Sequence, residues 1–217
     1  MKRTLEPELM TDERRARAYA QADFAESNQW FVDQFVADFV PALRHAVDLG
    51  CGPADVLIRL ATAKPDVCIT GIDGSATMIV LARAAVTAAG LEPRIKLIEG
   101  CIPGTPSDNH AYDAVLSKDA LHHLPDPMVL WTEARRLGKL GAAVFVMDLI
   151  RPRTESDARR IVEQVAQHED PILKDDFFSS LCAAFTVAEV EKQLWAAGLD
   201  LAVQQVSERH MLVKGRL

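Results

Sequence analysis

Short apolar runs alternating with helix-like segments constrain this chain more than any other feature. The runs are RHAVDL (44–49), VCITGI (67–72), RIKLI (94–98), YDAVLS (112–117) and AAVFVMD (142–148). Each is rich in β-branched or aromatic residues and bounded by turn residues, as a buried strand is. Between them, residues 53–63 open on Pro53, residues 75–89 on the N-cap Ser75, and residues 126–137 near Asp126. Helices that carry the chain from strand to strand predict a mainly parallel sheet covered on both faces.

The C-terminal end breaks the rhythm. Thr186 with Glu189 three residues later is a capping-box signature, and Gly198 suits the close of that helix. LDLAVQQVS and RHMLVKG then follow, joined around Ser207–Arg209. A connection this short only joins antiparallel strands, because a parallel crossover needs a dozen residues or more. Two segments stand outside the core. Residues 1–43 include the amphipathic NQWFVDQFVADFV (28–40), and residues 151–184 hold helical patterns at 155–168 and 172–184. Both attach near the carboxyl ends of the strands, where open α/β sheets bind ligands. The chain is therefore read as a single domain, residues 1–217. It has an N-terminal helical lid (1–43), a ligand-binding core (44–150), a helical insertion or lid (151–184), and a final helix and hairpin (185–217).

The 217 residues carry a net charge of −7, which argues against a dedicated nucleic-acid binder. No apolar run is long enough to span a bilayer, and MKRTLEPELM lacks the apolar core of a secretory signal. Four scattered cysteines form no C-x-x-C pair, so no zinc site is expected and a cytoplasmic location is the simplest reading.

The first strand runs into VDLGCGPAD, a D-x-G-x-G turn that lets the backbone approach a ligand closely. A dinucleotide fingerprint needs glycine where Asp55 stands, which counts against a nicotinamide or flavin cofactor. The second strand ends in GIDGS. There Asp73 could accept hydrogen bonds from both hydroxyls of a ribose. Its alternative role, capping the next helix, is already filled by Ser75.

In order and spacing, VDLGCGP, GIDGS, IEGCIPG, YDAVLSKDALHHLPDP and LGKLGAAVFVMDL resemble the motifs of class I S-adenosylmethionine-dependent methyltransferases. The likeness covers roughly residues 44 to 215 and leans toward the small-molecule, ubiquinone/menaquinone-biosynthesis group. It implies a Rossmann-like doubly wound sheet of seven strands in the order 3-2-1-4-5-7-6, with strand 7 antiparallel. It also implies S-adenosyl-L-methionine as cofactor, S-adenosyl-L-homocysteine as product, and in-line methyl transfer to a small molecule. Gly50, Cys51 and Gly52 would lie against the methionyl part and adenosine, and Asp48 below that turn would order it or the amino group. Asp73 would take the ribose, Gly74 and Met78 would lie by the adenine, and Gly100, Cys101 and Ile102 would complete that end. Ser117 would face the methionine tail. Outside the likeness, Tyr19 and Asp23 in AYAQADF could close over that tail or simply belong to a helix packed on the sheet edge. Two departures stand out. Ala54 replaces a frequent third glycine, and Cys101 replaces the usual acidic residue, so the adenine amino group loses a carboxylate.

Methyl transfer from a sulfonium releases a neutral thioether, so a base is needed only to remove a proton from the acceptor. This bears on SKDALHHLPDP (117–127), where His122 and Asp119 are the catalytic candidates. Lys118 and Asp119 have a plainer reading as an ion pair in solvent. The two histidines are expected to diverge, one imidazole toward the pocket and the other on nearby backbone, with no metal bound. Arg151 could bind a substrate carboxylate or pair with an acidic lid residue, while His168 and His210 read as surface or core. A second reading stays open: a cofactor-binding partner subunit or sensor with little activity alone, motivated by Cys101 and the exposed-looking 28–40 stretch. Whether the chain forms a homodimer or needs a partner protein is left open too.

Overall fold

A computed structural model describes residues 1–6, 10–39 and 43–217. Its strands are β1 (His45–Leu49), β2 (Cys68–Asp73), β3 (Ile95–Glu99), β4 (Tyr112–Lys118), β5 (Gly138–Leu149), β6 (Leu201–Gln205) and β7 (His210–Arg216). They form one seven-stranded sheet in the order 3-2-1-4-5-7-6. Strands from β3 to β5 are parallel, while β7 runs antiparallel to both β5 and β6. The expected doubly wound fold is therefore the fold found.

Alternation along the strands assigns the helices to two faces. Ala46, Ile69, Phe145 and Met147 pack against α2 (Ala25–Phe39), α3 (Asp55–Ala63) and α4 (Ala76–Ala88). Val47, Leu49, Val144 and Val146 point the other way, onto α5 (Met128–Leu137) and α8 (Val187–Ala197). A third cluster joins Leu149 to α6 (Glu155–Val165) and α7 (Pro171–Ala183). The first helix, α1 (Glu13–Gln21), leads into α2.

Most local signals act where expected. Thr186 and Glu189 form the reciprocal capping box of α8, and Gly198 closes that helix at φ 63°. Ser75 caps α4 through its hydroxyl. Pro53 does not open α3: Ala54 lies in the left-handed region at φ 72°, so helical geometry begins only at Asp55. The amphipathic 28–39 stretch is not exposed on its apolar side. Phe31, Val32 and Phe35 are buried, and Phe31 and Phe35 stack on Phe145 at 5.0 and 5.5 Å. That removes the surface motive for a partner-subunit reading. Val40, like residues 7–9 and 41–42 of the expected N-terminal lid, lies outside the described residues.

Glu133 of α5 fastens the loop after β3. Its buried carboxylate accepts the amides of Gly104 (3.1 Å) and Thr105 (3.0 Å), the Thr105 hydroxyl (2.6 Å) and the Arg136 guanidinium (2.7 Å). Burial alone would raise its pKa, but Arg136 and Thr105 outweigh it and hold the group at about 2. A depressed carboxylate stabilises the fold above its ordinary value of 4.5, and the contribution is lost as pH falls toward 2. Glu133→Ala is expected to cost about 3 kcal/mol in urea unfolding at pH 7, because amides and a guanidinium lose their acceptor. The difference from the parent should shrink at pH 3. An equal loss at both pH values would rule out this account.

Candidate functional site

The site is built where β1, β2, β4 and β5 end. After β1 the chain turns through Gly50 (φ 78°) and Gly52 (φ 51°). The amides of Gly50 and Cys51 both donate to the Ile72 carbonyl, at 2.8 and 3.1 Å. A side chain at Gly50 would put its Cβ 2.5 Å from the Ala120 Cβ, so that position admits only glycine. Ala54 shows that the missing third glycine has a cost, since a left-handed alanine carries about 1 kcal/mol of strain. Asp73 crosses to the turn: Oδ2 accepts Gly52 N at 2.8 Å and Oδ1 accepts Ser75 N at 2.8 Å.

Three cavities meet here. One of about 180 Å³ is walled by Gly50, Gly52, Asp73, Gly74, Met78, Gly100, Cys101 and Ile102. A second, of about 340 Å³, lies along Asp48, Cys51, Asp23 and the same glycine turn. The largest, about 650 Å³, lies between the strand ends and the flanking helices, with Phe24, Trp30, Leu173 and Phe177 among its apolar walls. Tyr19, Lys118 and Asp119 border all three. The expected cofactor residues are thus gathered at two adjoining cavities, with one exception. Ser117 is fully buried and lines none of them, and its hydroxyl donates to the Leu49 carbonyl at 2.7 Å. It ties β4 to β1.

Burial sets the charges. Asp48 is 2 % exposed, and its Oδ1 has no hydrogen-bond partner among the described residues. Burial first, then the nearby Asp73 charge, push its pKa up to about 7, while Lys118 pulls the other way. Burial also drives the Cys51 thiol and the Tyr19 phenol up, so neither ionises readily. The Cys51 sulfur points at Gly71, whose added Cβ would lie 2.8 Å from it.

Lys118 and Asp119 do form an ion pair, but not in solvent: their side chains are 7 % and 18 % exposed. Asp119 takes a left-handed φ of 55°, which turns its carboxylate to the cavities. Burial would raise it, but the Lys118 charge outweighs this and holds it at about 2. His210 borders the large cavity, and its Nε2 lies 3.9 Å from Asp119. It is therefore neither a surface residue nor plain core, and burial lowers its pKa to about 4.

The two histidines also depart from expectation. His122 bonds a carboxylate and not backbone, its Nδ1 lying 2.9 Å from Asp148 Oδ1. An ionised carboxylate only accepts, so Nδ1 carries the proton and Nε2 is the nitrogen left for the large cavity. Burial would lower its pKa, but Asp148 outweighs this and raises it. The rings do not diverge. The single 3₁₀ turn Leu121–His123 stacks them with centroids 4.0 Å apart. Burial and the His122 charge push His123 well down. Arg151 is engaged within the protein: it pairs with Glu189 at 2.7 Å and donates to the Ala184 carbonyl at 2.9 Å. Asp148 is the residue the sequence reading missed. A carboxylate closing the apolar run AAVFVMD was its signal, since a charge on a buried strand needs a stated partner.

Residues 46–141 match the family profile described as a methyltransferase domain. The chain is 26% identical over 183 residues to ajmaline N-methyltransferase of Rauvolfia serpentina, covering 79% of this chain and 62% of that one. It is 30% identical over 121 residues to 27-O-demethylrifamycin SV methyltransferase of Amycolatopsis mediterranei, covering 54% and 44%. It thus spans less than two thirds of either relative. A solved S-adenosylmethionine-dependent methyltransferase from Aquifex aeolicus superposes with a TM-score of 0.70 at 16% identity, covering 93% of this chain and 97% of that one, a likeness of fold. Residues 46–141 are thus similar to a methyltransferase domain, and the strand order and glycine turn give the chain the fold of a solved S-adenosylmethionine-dependent methyltransferase.

Proposed function

We propose that the chain transfers a methyl group from S-adenosylmethionine to a small-molecule acceptor. The observation that carries this reading is the convergence of the glycine turn, Asp73 and the unpartnered Asp48 oxygen on adjoining cavities. The cofactor supplies an electrophilic methyl on a sulfonium whose departure needs no acid. The residues present fit it. Gly50, Cys51 and Gly52 offer backbone without bulk, and each Asp73 oxygen uses one acceptor site on an amide and keeps another for a ribose hydroxyl. Asp48 Oδ1 is a buried acceptor that an ammonium would satisfy. Gly74, Met78, Gly100, Cys101 and Ile102 wall the adenine end, where apolar contact replaces a carboxylate. Tyr19 covers the junction.

The large cavity suits the acceptor. Its volume lies within the usual range for small-molecule sites, and its apolar walls are broken by His122, His210 and Asp119. Relatives named for the small molecules ajmaline and demethylrifamycin support that class. The described parts of residues 1–43, together with residues 151–184, act as lids, since α1, α2, α6 and α7 all contribute to this cavity. Among the described residues no helix is long and apolar enough to cross a membrane. His122, aimed by Asp148, accepts a proton from an acceptor hydroxyl or acidic carbon. Asp119, already ionised and paired with Lys118, is the weaker base and orients the acceptor.

Asp73→Ala should weaken S-adenosylhomocysteine binding in calorimetry roughly tenfold or more, because two charge-assisted hydrogen bonds disappear. Unchanged affinity would move the ribose elsewhere. The same measurement should be pH-dependent. An ammonium needs ionised Asp48, so affinity should fall as pH drops from about 8 to about 6, through a group titrating near 7. Asp48→Asn should bind more weakly and lose that pH dependence; a parent-like curve would place the ammonium elsewhere. His122→Ala should lower kcat about 100-fold with little change in cofactor affinity. Normal turnover would retire its role.

A further inference from the structure

Glu6 lies far along the chain from the adjacent His122 and His123, yet each of the three offers a ligand atom within 4.8 Å of the other two. The N-terminal segment is held there by several bonds. Arg3 donates to the carbonyls of His122 (2.9 Å), Leu124 (3.0 Å) and Ala183 (2.5 Å), and Glu6 Oε2 accepts the Ser180 hydroxyl at 2.8 Å. Among the described residues the buried Nδ1 of His123 has no hydrogen-bond partner of standard geometry, and it lies 4.0 Å from Glu6 Oε2. That gap is too long for a hydrogen bond. It is close to the separation of two ligands around one ion, about 3.4 Å for bonds of about 2.1 Å in tetrahedral geometry. Asp148 completes the pattern: it accepts a hydrogen bond from the Nδ1–H of His122 and leaves the Nε2 lone pair as the ligand, the arrangement that fixes histidines on metals.

We propose that Glu6, His122 and His123 bind a divalent transition-metal ion in the wall of the large cavity, with Asp148 orienting His122 from behind. Two imidazoles and one carboxylate favour zinc, cobalt, iron(II) or manganese over magnesium, which prefers an all-oxygen shell. His122 and His123 both line the cavity, so the remaining coordination positions open toward the acceptor. An acceptor with an oxygen donor would bind there, and the ion would lower the pKa of its hydroxyl. With the ion bound, His122 Nε2 is a ligand and the acceptor's proton leaves to solvent water; the role of His122 as a base belongs to the ion-free chain. Ion binding stands without the methyl-transfer reading, and only the acceptor's part rests on it.

The test uses the full chain, stripped with chelator and titrated with Zn²⁺ by calorimetry and with Co²⁺ by visible absorption. The expected result is one ion per chain and a low-coordinate cobalt spectrum. Glu6→Gln should weaken binding roughly tenfold or more while melting and binding S-adenosylhomocysteine like the parent. His123→Ala should weaken the ion to a similar degree. The proposal is overturned if no stoichiometric ion binds, or if binding survives both substitutions. S-adenosylhomocysteine binding and methyl transfer measured on the same samples separate the two readings. A chain that takes the ion but neither binds nor uses the cofactor keeps this site and loses the proposed function. A chain that binds cofactor but no ion does the reverse.

Discussion

The carboxylate of Asp148 is the interaction on which the site's geometry depends. It sits at the end of β5, 1 % exposed, and accepts the Leu121 amide at 2.8 Å, the Leu149 amide at 2.9 Å and His122 Nδ1 at 2.9 Å. A buried charge is tolerated only when its acceptor sites are used, and here their use fixes a neighbouring turn. The turn after β4 cannot swing away without stranding that charge. His122, His123 and the backbone that Arg3 grips are thereby held against the mouth of the sheet.

The rest of the fold brings this edge into being. Phe145 and Met147 face α2 and α3, while Val144 and Val146 face α5. The sheet is therefore buried on both sides, and only its strand ends remain for polar chemistry. Hydrogen bonds between strand ends then set their relative heights. Ser117 holds β4 to Leu49 of β1, and the Gly50 and Cys51 amides hold β1 to Ile72 of β2. Functional side chains project from a row of backbones that cannot slip independently.

What the sequence disclosed follows the range of the forces involved. Periodicity, caps and glycine turns are local, so the strands, the capping box at Thr186 and the turn at Gly50 could be read directly. The cofactor-side grouping of Asp73, Met78 and Ile102 also follows, because the strand order places their loops side by side. Side-chain partners across the sheet have no local signature. Ser117 looked like a ligand contact because its position after β4 is known from sequence, but its bond to Leu49 is not. Arg151 looked available until α8 supplied Glu189. The stacking of His122 on His123 depended on a single 3₁₀ turn, and tandem histidines alone do not announce one. Glu6 lay too far along the chain for any pattern to join it to them.

Tyr19 has a wider consequence than a wall residue usually has. It borders all three cavities, and it rides on α1, which touches both α4 and α7. Occupants of neighbouring cavities would therefore share one wall and would not sit in independent compartments. Thermodynamic linkage makes such sharing reciprocal: whatever fixes the ring for one occupant changes the free energy of seating the other by the same amount. A molecule seated in one cavity would thereby alter the affinity of the next cavity for a second molecule through a single aromatic ring.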